Sequence, residues 1–79
     1  MSGGWTEVRV RYVNGAGHQV SFALDGRTVT ERRGGELAVT FTSSLPEDRV
    51  RHVEHRDEAL RRQGYVPDCD WRVLFGVDN

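Results

Sequence analysis

Three side chains in this 79-residue chain are spaced so that they could bind a metal or support nucleophilic chemistry together: His52, His55 and Cys69. His52 and His55 lie three apart, a spacing that puts both imidazoles of a helix within reach of one ion. Cys69, between Asp68 and Asp70, follows in a segment able to fold back toward them. Imidazole, thiolate and carboxylate make a reasonable zinc set. The spacing matches no standard zinc pattern, however, and Cys69 has no Cys-x-x-Cys neighbour. Two solvated histidines beside Arg and Glu are the simpler reading. A Cys69–His nucleophile is weaker still, because a reactive thiol wants an adjacent cation or helix N-terminus and Cys69 has two aspartates. A metal- or thiol-dependent enzyme is therefore the third reading of this sequence. No nucleophile elbow, phosphate loop or dinucleotide fingerprint is present. Glu31 and Glu54 have no partner carboxylate at readable spacing for acid–base work. The chain reads as a non-enzyme with no cofactor.

The arginines support a second reading. All eleven basic residues are Arg, with no Lys and no Ile anywhere. Missing Ile points to the codon usage of a GC-rich bacterial or phage genome rather than to selection for phosphate contacts. Arg9, Arg11 and Arg32 fall on one side of the expected strands, and Arg49, Arg51, Arg56, Arg61 and Arg62 lie on the expected helix. A nucleic-acid-binding module would use these, but its bases need exposed aromatic rings, and Tyr12, Phe22 and Phe41 fall on the opposite side. Twelve acidic residues bring the net charge to −1, without the basic excess of such a module.

The leading reading is a small accessory or regulatory protein that binds another protein, with a second copy of the chain among the candidate partners. The expected outer sheet face carries Ser21, Ala23, Thr28, Thr30, Ala38 and Thr40, with Glu7, Arg9, Arg11, Arg32 and Glu36 toward its margins. Small residues inside a charged rim are the layout of an interface. An ordinary solvated face rich in Thr looks the same. Trp5 and Trp71 are the candidate aromatic anchors of this face or of an edge strand, and capping the core of a small domain is an equal reading of either.

The elements that must position these residues follow from periodicity. Residues 6–13 and 19–25 alternate with period two and read as half-buried strands. A loop through Asn14-Gly15-Ala16-Gly17-His18 sets Tyr12 against Val20 and Val10 against Phe22. Asp25-Gly26 reads as a type I′ turn pairing Leu24 with Arg27 and Phe22 with Val29. A two-residue turn at Gly34-Gly35 inverts the faces of the next strand, so a three-residue loop from Arg33 is expected, pairing Val29 with Val39 and Glu31 with Leu37. Ser44 and Glu47 have capping-box spacing, with Pro46 in the first turn. Gly64 marks a Schellman stop in which Tyr65 meets Leu60. Glu47–Arg51, Asp57–Arg61 and Glu58–Arg62 are expected ion pairs along the helix, over a buried stripe of Val50, Val53 and Leu60. Residues 71–77 alternate again and are expected as a fifth strand beside the first.

The expected fold class is α+β: a mostly antiparallel β-β-β-β-α-β sheet with one helix on one face, residues 1–79 forming a single domain. One cysteine excludes an internal disulfide. With no apolar signal segment and no run near the ~20 residues of a membrane span, a cytoplasmic location is expected and no membrane partner.

Overall fold

The computed structural model describes residues 8–76. Four strands, β1 (Arg9–Val13), β2 (Gln19–Asp25), β3 (Thr28–Arg33) and β4 (Glu36–Thr42), precede the helix α1 (Pro46–Arg62). A two-residue strand β5 (Val66–Pro67) and a 3₁₀ helix (Trp71–Phe75) follow. The sheet is antiparallel throughout, in the order β4-β3-β2-β1-β5. The chain is thus α+β, with α1 packed over one face.

Val10, Tyr12, Val20, Phe22 and Val29 line the covered face and meet Val53 and Leu60 of α1. Trp71 and Leu74 of the 3₁₀ helix close the same cluster. The Tyr12 and Phe22 rings pack edge to face, 5.4 Å apart. β1 pairs with β2 as expected, Val10 opposite Phe22 and Tyr12 opposite Val20. Asn14 holds the connecting loop, its carboxamide oxygen accepting the backbone N–H groups of Ala16 and His18.

The next two hairpins correct the expected registers. Asp25 pairs with Thr28, so the turn is Gly26-Arg27, and Gly26 alone has a positive φ (62°). Glycine at the first central position fits a type II′ turn rather than type I′. Every pair shifts by two residues, Phe22 facing Glu31 and Leu24 facing Val29, so the faces survive. Between β3 and β4 the two-residue Gly34-Gly35 turn does form, closing Arg33 against Glu36. Parity is restored by a bulge: Glu31 faces Val39 while Arg32 faces Leu37, leaving Ala38 extra. Leu37 therefore lies on the outer face beside Arg32, and Glu36 lies beside Arg33 on the helix side.

Both helix ends can be compared with expectation. No capping box forms: Leu45 is the N-cap residue without a side-chain bond, and Ser43 takes the capping role by accepting Leu45 N–H. Pro46 displaces the start by one residue because its fixed φ suits the first helical position. The C-terminus closes as a Schellman motif: Tyr65 N–H donates to Leu60 C=O and Gly64 N–H to Arg61 C=O, with Gly64 at φ 92°. Of the expected i,i+4 pairs only Asp57–Arg61 forms; Arg51 turns to Asp48 instead.

The expected strand at 71–77 is not a strand. Residues 71–75 form the 3₁₀ helix, because Asp70 caps it by accepting Arg72 N–H and Trp71 and Leu74, three apart, point inward together. The fifth strand is β5, and it does lie antiparallel to β1, Tyr12 opposite Pro67. Expectations for Trp5, Thr6, Glu7 and Val77 fall outside the described residues. Among the described residues no helix is long and apolar enough to cross a membrane.

Candidate functional site

The two edges of the sheet are finished differently. On the β5 side the edge is closed: the strand has two residues, and Asp68 then takes over the free backbone of β1. Its N–H donates to Arg11 C=O at 2.8 Å and its carboxylate accepts Arg11 N–H at 3.2 Å. On the opposite side β4 runs for seven residues with, among the described residues, no strand beyond it. Ser43 N–H donates to Arg27 C=O, which sets the alternation of the antiparallel ladder. By that alternation Phe41 and Val39 direct their backbone groups at β3, while the N–H and C=O of Thr40 and Thr42 point away from the sheet. Among the described residues no other group reaches them.

The side chains of β4 do nothing to protect this edge. Between Glu36 and Thr42 stand Leu37, Ala38, Val39, Thr40 and Phe41, with no charge and no proline. Leu37 is 57% exposed and Val39 38%. Natural edge strands are normally short, charged or covered, since a bare ladder invites another strand. The bulge at Ala38 is the one such device here, and it lies near the turn rather than at Thr40–Thr42.

A hollow of about 360 Å³ runs between this edge and the helix, lined by Phe41, Asp48, Arg51, His52 and His55. The Phe41 ring stacks on His52 at 4.4 Å with the planes 7° apart. Burial lowers the His52 pKa, and nearby Arg56 and His55 add to the effect while Glu31 opposes it. Its Nε2 is buried with no hydrogen-bond partner. The unfolded chain therefore takes up a proton first as pH falls. His52's contribution to stability is complete above its ordinary value of 6.5 and is lost as pH falls from there toward its lower folded value. Acidification from pH 7.5 to about 5 should consequently destabilise the protein more than a His52→Gln variant, measured by urea unfolding at each pH. Equal losses in both proteins would contradict this assignment.

The helix side of the sheet also holds two buried carboxylates. Glu31 is 0% exposed and is gripped by Arg56, Nε to Oε1 at 2.9 Å and NH2 to Oε2 at 3.0 Å, with Arg33 3.4 Å away. Asp57, 7% exposed, accepts the Tyr12 hydroxyl at 2.6 Å and Arg61 Nε at 3.0 Å. Burial, then the Asp57 carboxylate, holds the Tyr12 hydroxyl far above the usual phenol range. Each carboxylate is paired with an arginine, and the Arg56–Glu31 and Tyr12–Asp57 bonds run between α1 and the sheet, which makes these groups fasteners rather than free acids or bases. Their signal was present in the sequence: Glu31 shares the apolar parity of β3, and Asp57 continues the line from Val53 on α1.

Of the residues singled out for interaction, Arg9, Arg11, Ser21, Thr28, Thr30, Arg32 and Thr40 all lie on the outer face, away from α1. Thr28 and Thr42 hydroxyls bond across it at 2.9 Å. Trp71 is instead a core residue, packed edge to face on Phe75 and covered by the Arg72 guanidinium 4.9 Å from its ring. Trp5 lies outside the described residues.

The expected metal set is not assembled. His52 and His55 share the hollow, but the described residues contain no group of three or more His, Cys, Asp or Glu close enough to hold an ion. Cys69 is exposed in its loop, and partial burial with Asp68 beside it pushes its thiol pKa up, away from nucleophilic character. Comparison with protein-family models, with curated proteins and with solved structures finds no match to this chain.

Proposed function

We propose that this chain is a non-enzymatic protein-binding module that works by strand addition along β4. The single observation that carries the reading is the bare edge: seven residues whose outward N–H and C=O groups at Thr40 and Thr42 meet no other described residue, beside the exposed Val39. Strand addition draws affinity from main-chain bonds and selectivity from pockets for alternate side chains. The hollow at Phe41, His52 and His55 is placed to take such a side chain.

The simplest strand donor is a second copy of the chain. Two β4 strands running antiparallel about a two-fold axis can place Thr40 opposite Thr40 and exchange both outward bonds. In that register Val39 of each copy lies beside Phe41 of the other on the helix side. Glu36 faces Ser44, so no like charges oppose. A continuous sheet of two copies then has only β5 edges, both closed by Asp68.

Thr40→Pro tests this cleanly. Proline is tolerated where the N–H faces solvent on an edge strand, so the monomer keeps its fold while the outward donor disappears. Light scattering after size exclusion should show the native mass rising toward a dimer from micromolar to millimolar concentration. Thr40→Pro should stay monomeric over that range, and the slowed amide exchange of Thr40 and Thr42 seen at high native concentration should be absent at Thr42. A native chain that remains monomeric, with both amides exchanging freely at millimolar concentration, would overturn the self-pairing reading.

A further inference from the structure

The outer face of the sheet has a charged hollow separate from the β4 edge. Arg11, Ser21 and Arg32 stand in one row across β1, β2 and β3, since Arg11 pairs with Ser21 and Ser21 with Arg32. Two strand spacings of ~4.8 Å separate the arginine backbones by about 10 Å, with a small hydroxyl residue between them. Arg9 stands two residues along β1 from Arg11, and Gln19 flanks Ser21 on β2. These five side chains line a depression of about 430 Å³ that also reaches the Gly34-Gly35 turn and, among the described residues, includes no acidic one.

The state of the two central guanidiniums distinguishes them from five other arginines of the protein. Arg33, Arg51, Arg56, Arg61 and Arg72 are each paired with a carboxylate. Among the described residues the guanidiniums of Arg11 and Arg32 meet none, although the Arg11 backbone N–H donates to the Asp68 carboxylate; the Arg32 guanidinium makes one long bond, 3.4 Å, to Gly35 C=O. Arg27, Arg49 and Arg62 likewise meet no carboxylate among the described residues, but none of the three lines this hollow. Two arginines flanking a serine in one row and lining one hollow can bring forked donors to it from both sides, an arrangement that suits phosphate oxygens.

We propose that this row binds the phosphate group of a compact phosphate ester, seated over Ser21 between Arg11 and Arg32. The phosphate groups of a nucleic acid offer the same chemistry. The outer face, however, carries no aromatic side chain among the described residues, so unstacked bases have no platform there. A small phosphorylated ligand is therefore the better match. The proposal is independent of strand addition at β4, and the two can fail separately.

Inorganic pyrophosphate is the probe for the small ligand and a 12-nucleotide oligothymidylate the probe for the polymer, each titrated calorimetrically at low and moderate salt. Saturable pyrophosphate binding is expected, weakened roughly tenfold or more in an Arg11→Ala/Arg32→Ala double variant, as loss of charge-assisted bonds implies. Arg32→Lys should retain part of the affinity, and Thr40→Pro all of it. Far-UV circular dichroism establishes that the variants are folded, and both substituted side chains lie on the surface away from α1. Pyrophosphate binding unchanged in the double variant overturns the proposal, as does no saturable binding of pyrophosphate. Arginine-dependent binding of the oligonucleotide that exceeds pyrophosphate overturns its small-ligand form.

Discussion

Arg56→Ala is expected to lower stability by about 2–4 kcal/mol, although Arg56 is partly exposed and, among the described residues, is paired with a single acidic one. The reason is what it leaves behind. Glu31 is fully buried, and both its oxygens are occupied by the Arg56 fork at 2.9 and 3.0 Å. Once Arg56 is gone, only Arg33 remains, 3.4 Å away and itself nearly half exposed. A buried carboxylate with one distant cation has lost its hydration without replacement, and that penalty dominates the value of the pair itself. In a domain of this size the shift corresponds to a fall of roughly 10–20 °C in melting temperature. The double variant Glu31→Met/Arg56→Met separates penalty from pair. It removes both charges and should be more stable than Arg56→Ala alone. An Arg56→Ala protein within about 1 kcal/mol of the native one in urea unfolding would show that Arg33 suffices, and the fastening role of Arg56 would be wrong.

The same residues show where the sequence was legible and where it was not. The β1–β2 register could be read because Val10, Tyr12, Val20 and Phe22 leave one pairing that keeps a single apolar face, and the structure adopts it. The helix stop could be read because Gly64 is the one residue able to take φ 92° where the Schellman closure needs it. Parity failed at β4 because it assumes an unbroken ladder. The Gly34-Gly35 turn it rejects is present, and one extra residue at Ala38 absorbs the inversion. Bulges leave no reliable mark in an alternating sequence. At the C-terminal end the difficulty was length. In five residues, Trp71, Val73 and Phe75 satisfy period two while Trp71 and Leu74 satisfy period three, and Asp70 as a cap decides between them.

The candidate site was legible in part for related reasons. Residues of the outer face could be assigned because a shift of two in the β2–β3 register conserves sides, so Arg11, Ser21 and Arg32 stay in company. The bare edge could not be found by looking for chemistry-bearing side chains, since its donors and acceptors are backbone groups. It emerges only when the strand order is known and β5, short and sealed by Asp68, can be set against β4. The buried Glu31–Arg56 pair was missed for a third reason: Glu31 was weighed as a solitary acid, and its partner lies 25 residues away on another element.

How α1 is attached to the sheet leads to the largest core effect. The helix has 17 residues but only three buried ones, Val53, Asp57 and Leu60, and one of those is charged. Leu60 is 0% exposed, belongs to the cluster of Val10, Tyr12 and Phe22, and supplies the carbonyl that accepts Tyr65 N–H at the C-terminal closure. Leu60→Ala keeps that carbonyl but removes most of the apolar contact next to it, leaving a void that neighbours anchored in the sheet cannot fill. The expected cost is about 3–4 kcal/mol. Leu45→Ala, which truncates an exposed leucine at the head of the same helix, should change stability by no more than about 0.5 kcal/mol. The loss in Leu60→Ala should also be global. A 17-residue helix is marginal alone in water, and without it one face of the sheet has no cover. Helix content by circular dichroism and burial of Trp71 by fluorescence should therefore fall at the same urea concentration, at a lower midpoint than in the native protein. Separate transitions for the two signals, or a cost below about 1 kcal/mol, would mean that α1 and the sheet do not share the core built around Leu60.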